Sequence, residues 1–175
     1  MEEKDIERIV RQCLKELAPV KSVNLETAKL LIEEVEAEAA RIGVKAVVAV
    51  SDEKARPIAV HCMDGAYIGS FDIAINKTYT SVAFQMPTSK LAELAAPGGS
   101  LYGIQHTNEG KVVIFGGGEP LYIGDRMVGA IGVSGGSAEQ DTYLGTYAKK
   151  IYEELFRTKH EQKESLEETI LRIRF

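Results

Sequence analysis

The sequence predicts an α+β fold in which helices pack on an antiparallel sheet. Three observations support this class. Apolar residues recur at helical spacing over several long segments, short β-branched runs lie between them, and glycines separate the last of these runs. The predicted order is α-β-β-α-α-β-β-β-α, with an additional amphipathic helix at each end. Because consecutive strands are joined by short turns, the order disfavours a doubly wound parallel sheet.

Length and composition indicate one globular domain with short appendages, since 45% of the 175 residues are hydrophobic and 27% are charged. The net charge of −5 and the absence of a Lys/Arg cluster disfavour a nucleic-acid or anionic-membrane partner. No apolar run approaches the roughly 20 residues of a membrane span, and the acidic start differs from a secretory leader. Cys13 and Cys62 do not suggest a disulfide framework. We therefore expect a cytoplasmic protein.

Residues 1–17 predict an amphipathic helix that is separate from the domain. Pro19 ends this helix, and residues 18–23 form a linker to the next helical pattern. The apolar side chains are spaced so that they lie on one face. They are Ile6, Ile9, Val10, Cys13, Leu14 and Leu17. Because a lone helix of this length is only marginally stable in water, the apolar face requires a partner.

The domain is predicted over residues 24–156 and begins with a helix. Asn24 is a good N-cap residue, and Gly43 is a plausible C-terminal stop. Two β-branched runs follow, and the polar turn over residues 51–56 between them indicates a hairpin. The predicted elements of this half are a helix over 25–42, strands over 44–50 and 57–63, and helices over 68–84 and 88–95.

The second half of the domain is predicted to form a meander of three strands followed by a helix. Glycine separates short apolar runs, and Gly124-Asp125 marks the tight turn between the last two. Ser137 and Gln140 form a capping box that opens the last helix. Residues 157–175 predict a second amphipathic helical tail. The predicted elements are strands over 112–115, 121–123 and 127–133, and a helix over 138–156.

Five strings share a resemblance to one protein family. They are MDGA (63–66), DIAINK (72–77), AFQMPT (83–88), FGGGEP (115–120) and VGAIGVSGG (128–136). In this order they resemble the GlcG/HbpS family of heme-binding proteins, which includes the C-terminal domain of PduO-type cobalamin adenosyltransferases. The resemblance covers roughly residues 24–155. It implies a profilin-like fold, a homo-oligomer, and heme or a related tetrapyrrole such as cobalamin as the ligand, but no particular reaction.

Two features of the sequence, one turn and one residue, depart from the family pattern. The first hairpin turn, Asp52 to Arg56, lacks the usual glycine, and Glu119 stands where an apolar residue is common. Both departures leave the ligand specificity open.

The N-terminal helix has a resemblance of its own. Residues 6–17 are similar to the encapsulation peptides that direct cargo into bacterial microcompartments. Such peptides are short amphipathic helices joined to the cargo by a flexible linker. The resemblance implies a partner in the shell or among the co-cargo, and a location inside a microcompartment. The alternative is a helix that packs on the protein's own oligomer.

Histidine is the best heme-iron ligand available, and the chain has three: His61, His106 and His160. His160 lies in the charged tail, where we expect it to be solvated. His106 lies in a loop before the glycine-rich strands, and we favour it over His61 as an iron or ligand contact. His61 alternates with apolar residues along a strand, so a hydrogen-bonded strand histidine is the alternative. Cys62 and Met63 are further candidate iron donors. The alternative for each is a position in the hydrophobic core.

Other candidate ligand contacts lie in the helix over 68–84 and in the glycine run. Lys77 is placed to pair with a heme propionate, with Asn76 and Thr80 adding hydrogen bonds; the alternative is a lysine on the helix surface. Glycines permit close approach of a flat ligand, although a turn or bulge needs the same freedom. The glycine run consists of Gly116, Gly117 and Gly118. Its spacing is not that of a dinucleotide-binding loop.

The sequence predicts no catalytic or metal-ligand set. It lacks a nucleophile elbow, and its cysteines and histidines form no short-spaced pair. The leading hypothesis is an accessory tetrapyrrole-binding protein carried as microcompartment cargo. One alternative is an enzyme that acts on a small metabolite or degrades heme, for which His106, Lys77 and Asp64 would have to converge. Another is a structural assembly protein that uses its terminal helices.

Overall fold

In the computed structural model, helices pack on both faces of a four-stranded antiparallel sheet. The structure describes the backbone of residues 22–173 and the side chains of residues 22–156. The helices are α1 (Leu25–Arg41), α2 (Ser70–Phe84), α3 (Thr88–Ala95) and α4 (Ala138–Ile173). The strands are β1 (Val47–Asp52), β2 (Pro57–Cys62), β3 (Gly118–Ile123) and β4 (Arg126–Ser134). Two 3₁₀ turns, Ile104–His106 and Asn108–Gly110, lie between α3 and β3.

The strand order in the sheet is β2-β1-β4-β3, and every neighbouring pair is antiparallel. In β1, Val48 is paired with His61 of β2 on one side and with Val133 of β4 on the other. The strands β2 and β3 therefore form the two edges. This topology confirms the predicted fold class.

The two faces of the sheet carry different helices. On one face, α1 and α4 cover a core that includes Val48, Val50 and Leu144. On the other face, α2 covers Val47 and Ala49. Because side chains alternate along a strand, β1 is buried on both faces, which explains its continuous run of small and β-branched residues.

Local signals in the sequence account for the starts of α1 and α4. The Asn24 Oδ1 atom accepts a hydrogen bond of 2.8 Å from the amide of Thr27 at the start of α1. At the start of α4, the Gln140 side chain accepts from the Ser137 amide, and the Ser137 hydroxyl accepts from the Gln140 amide. These are the predicted N-cap and capping box, and both are confirmed.

One predicted strand, over residues 112–115, is not part of the sheet. Val112 and Val113 are buried there, but the Val113 amide donates to the Thr80 hydroxyl of α2 at 2.9 Å. A side chain of α2 therefore takes the place of a neighbouring strand. The predicted three-stranded meander is reduced to the β3–β4 hairpin, which turns at Gly124-Asp125 as expected.

The helix predicted over 138–156 continues to Ile173, so α4 has 36 residues. The tail predicted from residue 157 is thus a continuation of α4 and not a separate helix. None of the helices in the described part of the chain is apolar over enough residues to cross a bilayer. The predicted N-terminal helix over 1–17 lies outside the described residues.

Candidate functional site

A groove of about 620 Å³ lies between the C-terminal half of α1 and the end of β2, at one edge of the sheet. Its volume falls within the roughly 300–1,000 Å³ of typical small-molecule sites. The groove is open to solvent, and it combines apolar walls with charged and sulfur-containing side chains. The residues that matter for its chemistry are Glu36, Ala40, Lys45, Cys62, Met63 and Asp64.

His61 lies beside this groove on the edge strand β2. Its Nδ1 atom is 3.2 Å from Oε1 of Glu36, which belongs to the groove wall. With the hydrogen on Nδ1, the imidazole donates to the carboxylate, and Nε2 keeps a lone pair that can bind a metal. Metal-binding histidines are commonly held in this way by a carboxylate. The side chain of His61 is 39% exposed, so a ligand can reach it.

The two sulfur-containing residues that follow His61 differ in their availability. Met63 packs partly buried against the core, and its Sδ atom accepts a hydrogen bond of 3.3 Å from the amide of Ala46. Cys62, in contrast, has an exposed thiol. The structure therefore offers His61 and Cys62 as donors next to the groove, whereas Met63 already has a structural contact.

Lys45 provides a positive charge at the groove. A Cβ atom at Gly65 would come within 2.9 Å of the Lys45 Nζ atom, so this side chain lies against the loop that leads into α2. Just beyond Gly65, large apolar side chains are strongly exposed. They are Tyr67, Ile68 and Phe71, with exposed fractions of 75%, 97% and 44%. None of these three residues lines the groove.

His106 lies elsewhere. It ends the first 3₁₀ turn, is exposed, and has its Nε2 atom 3.3 Å from Nε2 of Gln105. The adjoining turn is attached to α2, because the side-chain Nδ2 of Asn108 donates to the Tyr79 hydroxyl. His61 faces α1 on the other side of the sheet. The structure thus does not bring the two candidate histidines together.

Lys77 is buried, and its ammonium group is engaged within the chain. The Nζ atom donates to the backbone oxygen of Val133 at 2.6 Å and to Oδ2 of Asp141 at 2.7 Å. The ring of Phe115 lies 4.9 Å from the same atom. Burial lowers the pKa of Lys77, and the charge of Asp141 opposes that shift. This ion pair joins α2 to the end of β4 and to the start of α4.

The glycine run occupies the interior next to this ion pair. All three glycines are buried. Gly117 has a φ of +112°, and a Cβ atom there would lie 2.6 Å from the Val133 oxygen and 2.7 Å from Lys77 Nζ. A Cβ atom at Gly116 or Gly118 would also overlap side chains of the flanking helices. The run therefore allows close packing of α2 and α4 around the ion pair.

Thr80 and Asn76 belong to the same interior region. The Thr80 hydroxyl donates to the backbone oxygen of Asn76 at 2.7 Å and accepts from the Val113 amide at 2.9 Å. Asn76 itself is half-buried. The structure therefore gathers Lys77, Thr80 and the glycine run in one place, and it places His61 at a separate groove.

Sequence reasoning did not find Glu36, Lys45 or Asp141. Glu36 is one of several glutamates on α1, and nothing in the sequence distinguishes it from its neighbours. Asp141 was visible only as an acidic residue in the first turn of α4. Their roles come from contacts between distant segments.

Glu119, one of the two departures from the family pattern, is buried on β3 beneath α4. Its carboxylate lies 3.7 Å from the Lys149 Nζ atom. Burial raises the pKa of Glu119, and Lys149 opposes the shift. Within the described residues, no group of three or more His, Cys, Asp or Glu side chains forms a site for a bare metal ion.

Comparisons with known proteins now identify the domain. The family described as "Haem degrading protein HbpS-like" matches residues 23–148. An uncharacterized 15.0 kDa protein from the dhaT-dhaS intergenic region of Citrobacter freundii is 39% identical over 136 residues, which cover 78% of this chain and 96% of that protein. Corrinoid adenosyltransferase PduO of Salmonella typhimurium is 37% identical over 103 residues, which cover 59% of this chain but only 31% of PduO.

Among solved structures, the crystal structure of a PduOC:heme complex superposes with a TM-score of 0.71 at 31% sequence identity. The superposition covers 74% of this chain and 94% of that one. The family match over residues 23–148 includes all four strands and runs from α1 into the first part of α4. The chain therefore belongs to the HbpS-like family, as the five sequence strings indicated.

Proposed function

We propose that this protein is an accessory heme-binding protein whose ligand occupies the groove between α1 and β2. The observation that carries the proposal is His61, whose imidazole is held by Glu36 at 3.2 Å beside a cavity of about 620 Å³. The relationship to the protein in the PduOC:heme complex supports the same ligand class. When bound, heme supplies an iron centre that accepts an axial nitrogen donor.

The residues around the groove fit the chemistry of heme. Heme is a flat apolar ring with two carboxylate side chains, so its site needs apolar surface, a cation and an axial donor. The apolar lining residues Ala40, Val44 and Met63 provide the apolar surface, Lys45 provides the cation, and His61 beside the groove provides the axial donor. Cobalamin carries mainly amide side chains, for which Lys45 is a poorer partner. Heme is therefore the first candidate and cobalamin the second.

A binding role agrees better with the structure than an enzymatic one. The enzyme alternative required His106, Lys77 and Asp64 to converge on one site. Lys77 is instead enclosed in its ion pair with Asp141, and His106 lies on the α2 side of the sheet. The description of the matching family as haem degrading is the observation that favours the enzymatic alternative.

Two variants of α1 test the groove. Ala40 lines the groove, whereas Ala37 is exposed on the same helix and lies outside it. Hemin and cobalamin are titrated into the wild type, Ala40→Trp and Ala37→Trp while the absorbance bands are followed. We expect a saturable change with hemin in the wild type and Ala37→Trp, and at least about tenfold weaker binding in Ala40→Trp, because the indole fills the site. Unchanged spectra for both ligands, or equal binding by Ala40→Trp, would contradict the proposal.

We further propose that residues 1–17 deliver the protein into a bacterial microcompartment, with residues 18–23 as a linker. The regular apolar face and the resemblance to encapsulation peptides support this. Residues 1–20 fused to a fluorescent protein should form foci in cells that make compartments. Leu14→Glu, within the apolar face, should abolish the foci, whereas Arg11→Glu, outside that face, should retain them. Diffuse fluorescence of the unaltered fusion would exclude delivery by this segment.

We also propose that the protein is a homo-oligomer, for which exposed aromatic residues such as Tyr67, Phe71 and Tyr102 are candidate contacts. The mass in solution of the full chain is compared with that of chains lacking residues 1–23 or 157–175. Loss of the oligomer in either truncated chain would favour the structural assembly alternative. A monomeric full-length chain would refute the oligomer.

A further inference from the structure

We infer that Glu36 is a positioning residue that orients the His61 imidazole for binding heme iron through Nε2. The inference rests on the proposed function. Glu36, on α1, lines the groove, and its Oε1 atom lies 3.2 Å from Nδ1 of His61 on β2. Because the contact uses Nδ1, it fixes both the tautomer and the rotation of the ring, and it leaves Nε2 free of that contact.

Other acidic residues of α1 do not have this arrangement. Glu38 is held by Arg41 and by the Tyr143 hydroxyl, and it lies in the interface with α4. Glu33 and Glu34 are exposed and lie outside the groove that Glu36 lines. Glu36 is therefore the α1 carboxylate that contacts a candidate iron donor.

Stability alone gives little reason for the contact. The side chains of His61 and Glu36 are 39% and 27% exposed, and a solvent-accessible contact of this kind contributes little to folding. An orienting carboxylate has a larger effect on a bound metal, because its removal typically weakens metal affinity about 10–100-fold. The two roles therefore predict different results for the same substitution.

Cys62 is the neighbouring donor that the test must separate from His61. Its thiol is exposed and follows His61 directly on β2. A thiolate and an imidazole give distinguishable spectra when they bind heme iron, so the ligand can be identified without measuring any catalytic activity.

The test is a hemin titration followed by absorbance and electron paramagnetic resonance, with the reduction potential measured for each complex. We expect His61→Ala to lose at least about tenfold in affinity and to regain histidine-type spectra with added imidazole. Glu36→Ala should bind about 10–100-fold more weakly than the wild type. Glu36→Gln should retain histidine ligation at a shifted reduction potential, because the amide accepts the hydrogen bond without the negative charge. Glu33→Gln, on the same helix but outside the groove, is the matched control.

Several results would overturn the inference. One is that both Glu36→Ala and Glu36→Gln have the same hemin affinity, spectra and reduction potential as Glu33→Gln. Another is ligand loss in Cys62→Ser or His106→Ala instead of His61→Ala. If the wild type binds hemin in the groove but is insensitive to Glu36, only the inference fails. If the wild type binds no hemin, the proposed function fails and the inference fails with it. Circular dichroism of each variant confirms that the fold is retained.

Discussion

Gly117→Ala distinguishes interior packing from ligand contact as the role of the glycine run. The added methyl group would lie 2.6 Å from the Val133 oxygen and 2.7 Å from Lys77 Nζ, at a φ of +112°. A positive φ costs an alanine about 1–2 kcal/mol, and overpacking costs about 1–3 kcal/mol more. Disturbing the buried Lys77–Asp141 pair adds to both. We therefore expect the free energy of unfolding to fall by at least about 2–5 kcal/mol, a large part of the roughly 5–15 kcal/mol of a typical domain.

Gly110→Ala is the matched control. Gly110 also has a positive φ, of +74°, but a Cβ atom there would meet no atom within 4 Å. The free energy of unfolding of this variant should fall only by the backbone cost of about 1–2 kcal/mol. Urea unfolding of both variants and the wild type measures the difference. If Gly117→Ala is no less stable than Gly110→Ala yet loses hemin binding, the packing role is refuted and the ligand-contact role is supported.

Three further substitutions test two buried charged groups and one strained turn. Lys77→Met leaves the buried Asp141 carboxylate without its positively charged partner, so urea unfolding should show a loss of about 3–5 kcal/mol; a loss below about 1 kcal/mol would contradict this. Ala55 has a φ of +59° in the β1–β2 turn, and Ala55→Gly should raise the free energy of unfolding by about 1 kcal/mol; a decrease would be inconsistent with backbone strain there. Burial raises the pKa of Glu119 above its ordinary value of 4.5, so the stability contributed by the neutral carboxyl is complete below pH 4.5 and is lost as pH rises through the raised pKa. Glu119→Gln should therefore raise the Tm at pH 7 but not at pH 4, and an unchanged pH dependence would exclude this cause.

Much of the fold was predictable because its signals are local. The Asn24 cap, the capping box of Ser137 and Gln140, and the Gly124-Asp125 turn each act within a few residues. The region around Val113 was not predictable from local pattern. Its buried β-branched side chains resemble those of a strand, but its amide bonds to Thr80, 33 residues earlier in the chain.

The site was less predictable because it depends on contacts between distant segments. His61 was a candidate from its residue type, but its partner Glu36 is 25 residues away and resembles the other glutamates of α1. Lys77 was expected at a ligand or on a helix surface. Its pairing with Asp141, 64 residues later, requires the packing of α2 and α4, which the sequence pattern does not show.

The most direct test of heme binding in the groove is an anomalous difference map at the iron absorption edge, from crystals of the protein grown with hemin. We predict an iron peak between α1 and β2 at coordination distance from Nε2 of His61. An iron peak beside His106 or the glycine run, or a crystal of a saturated complex with no iron near His61, would contradict the proposed site.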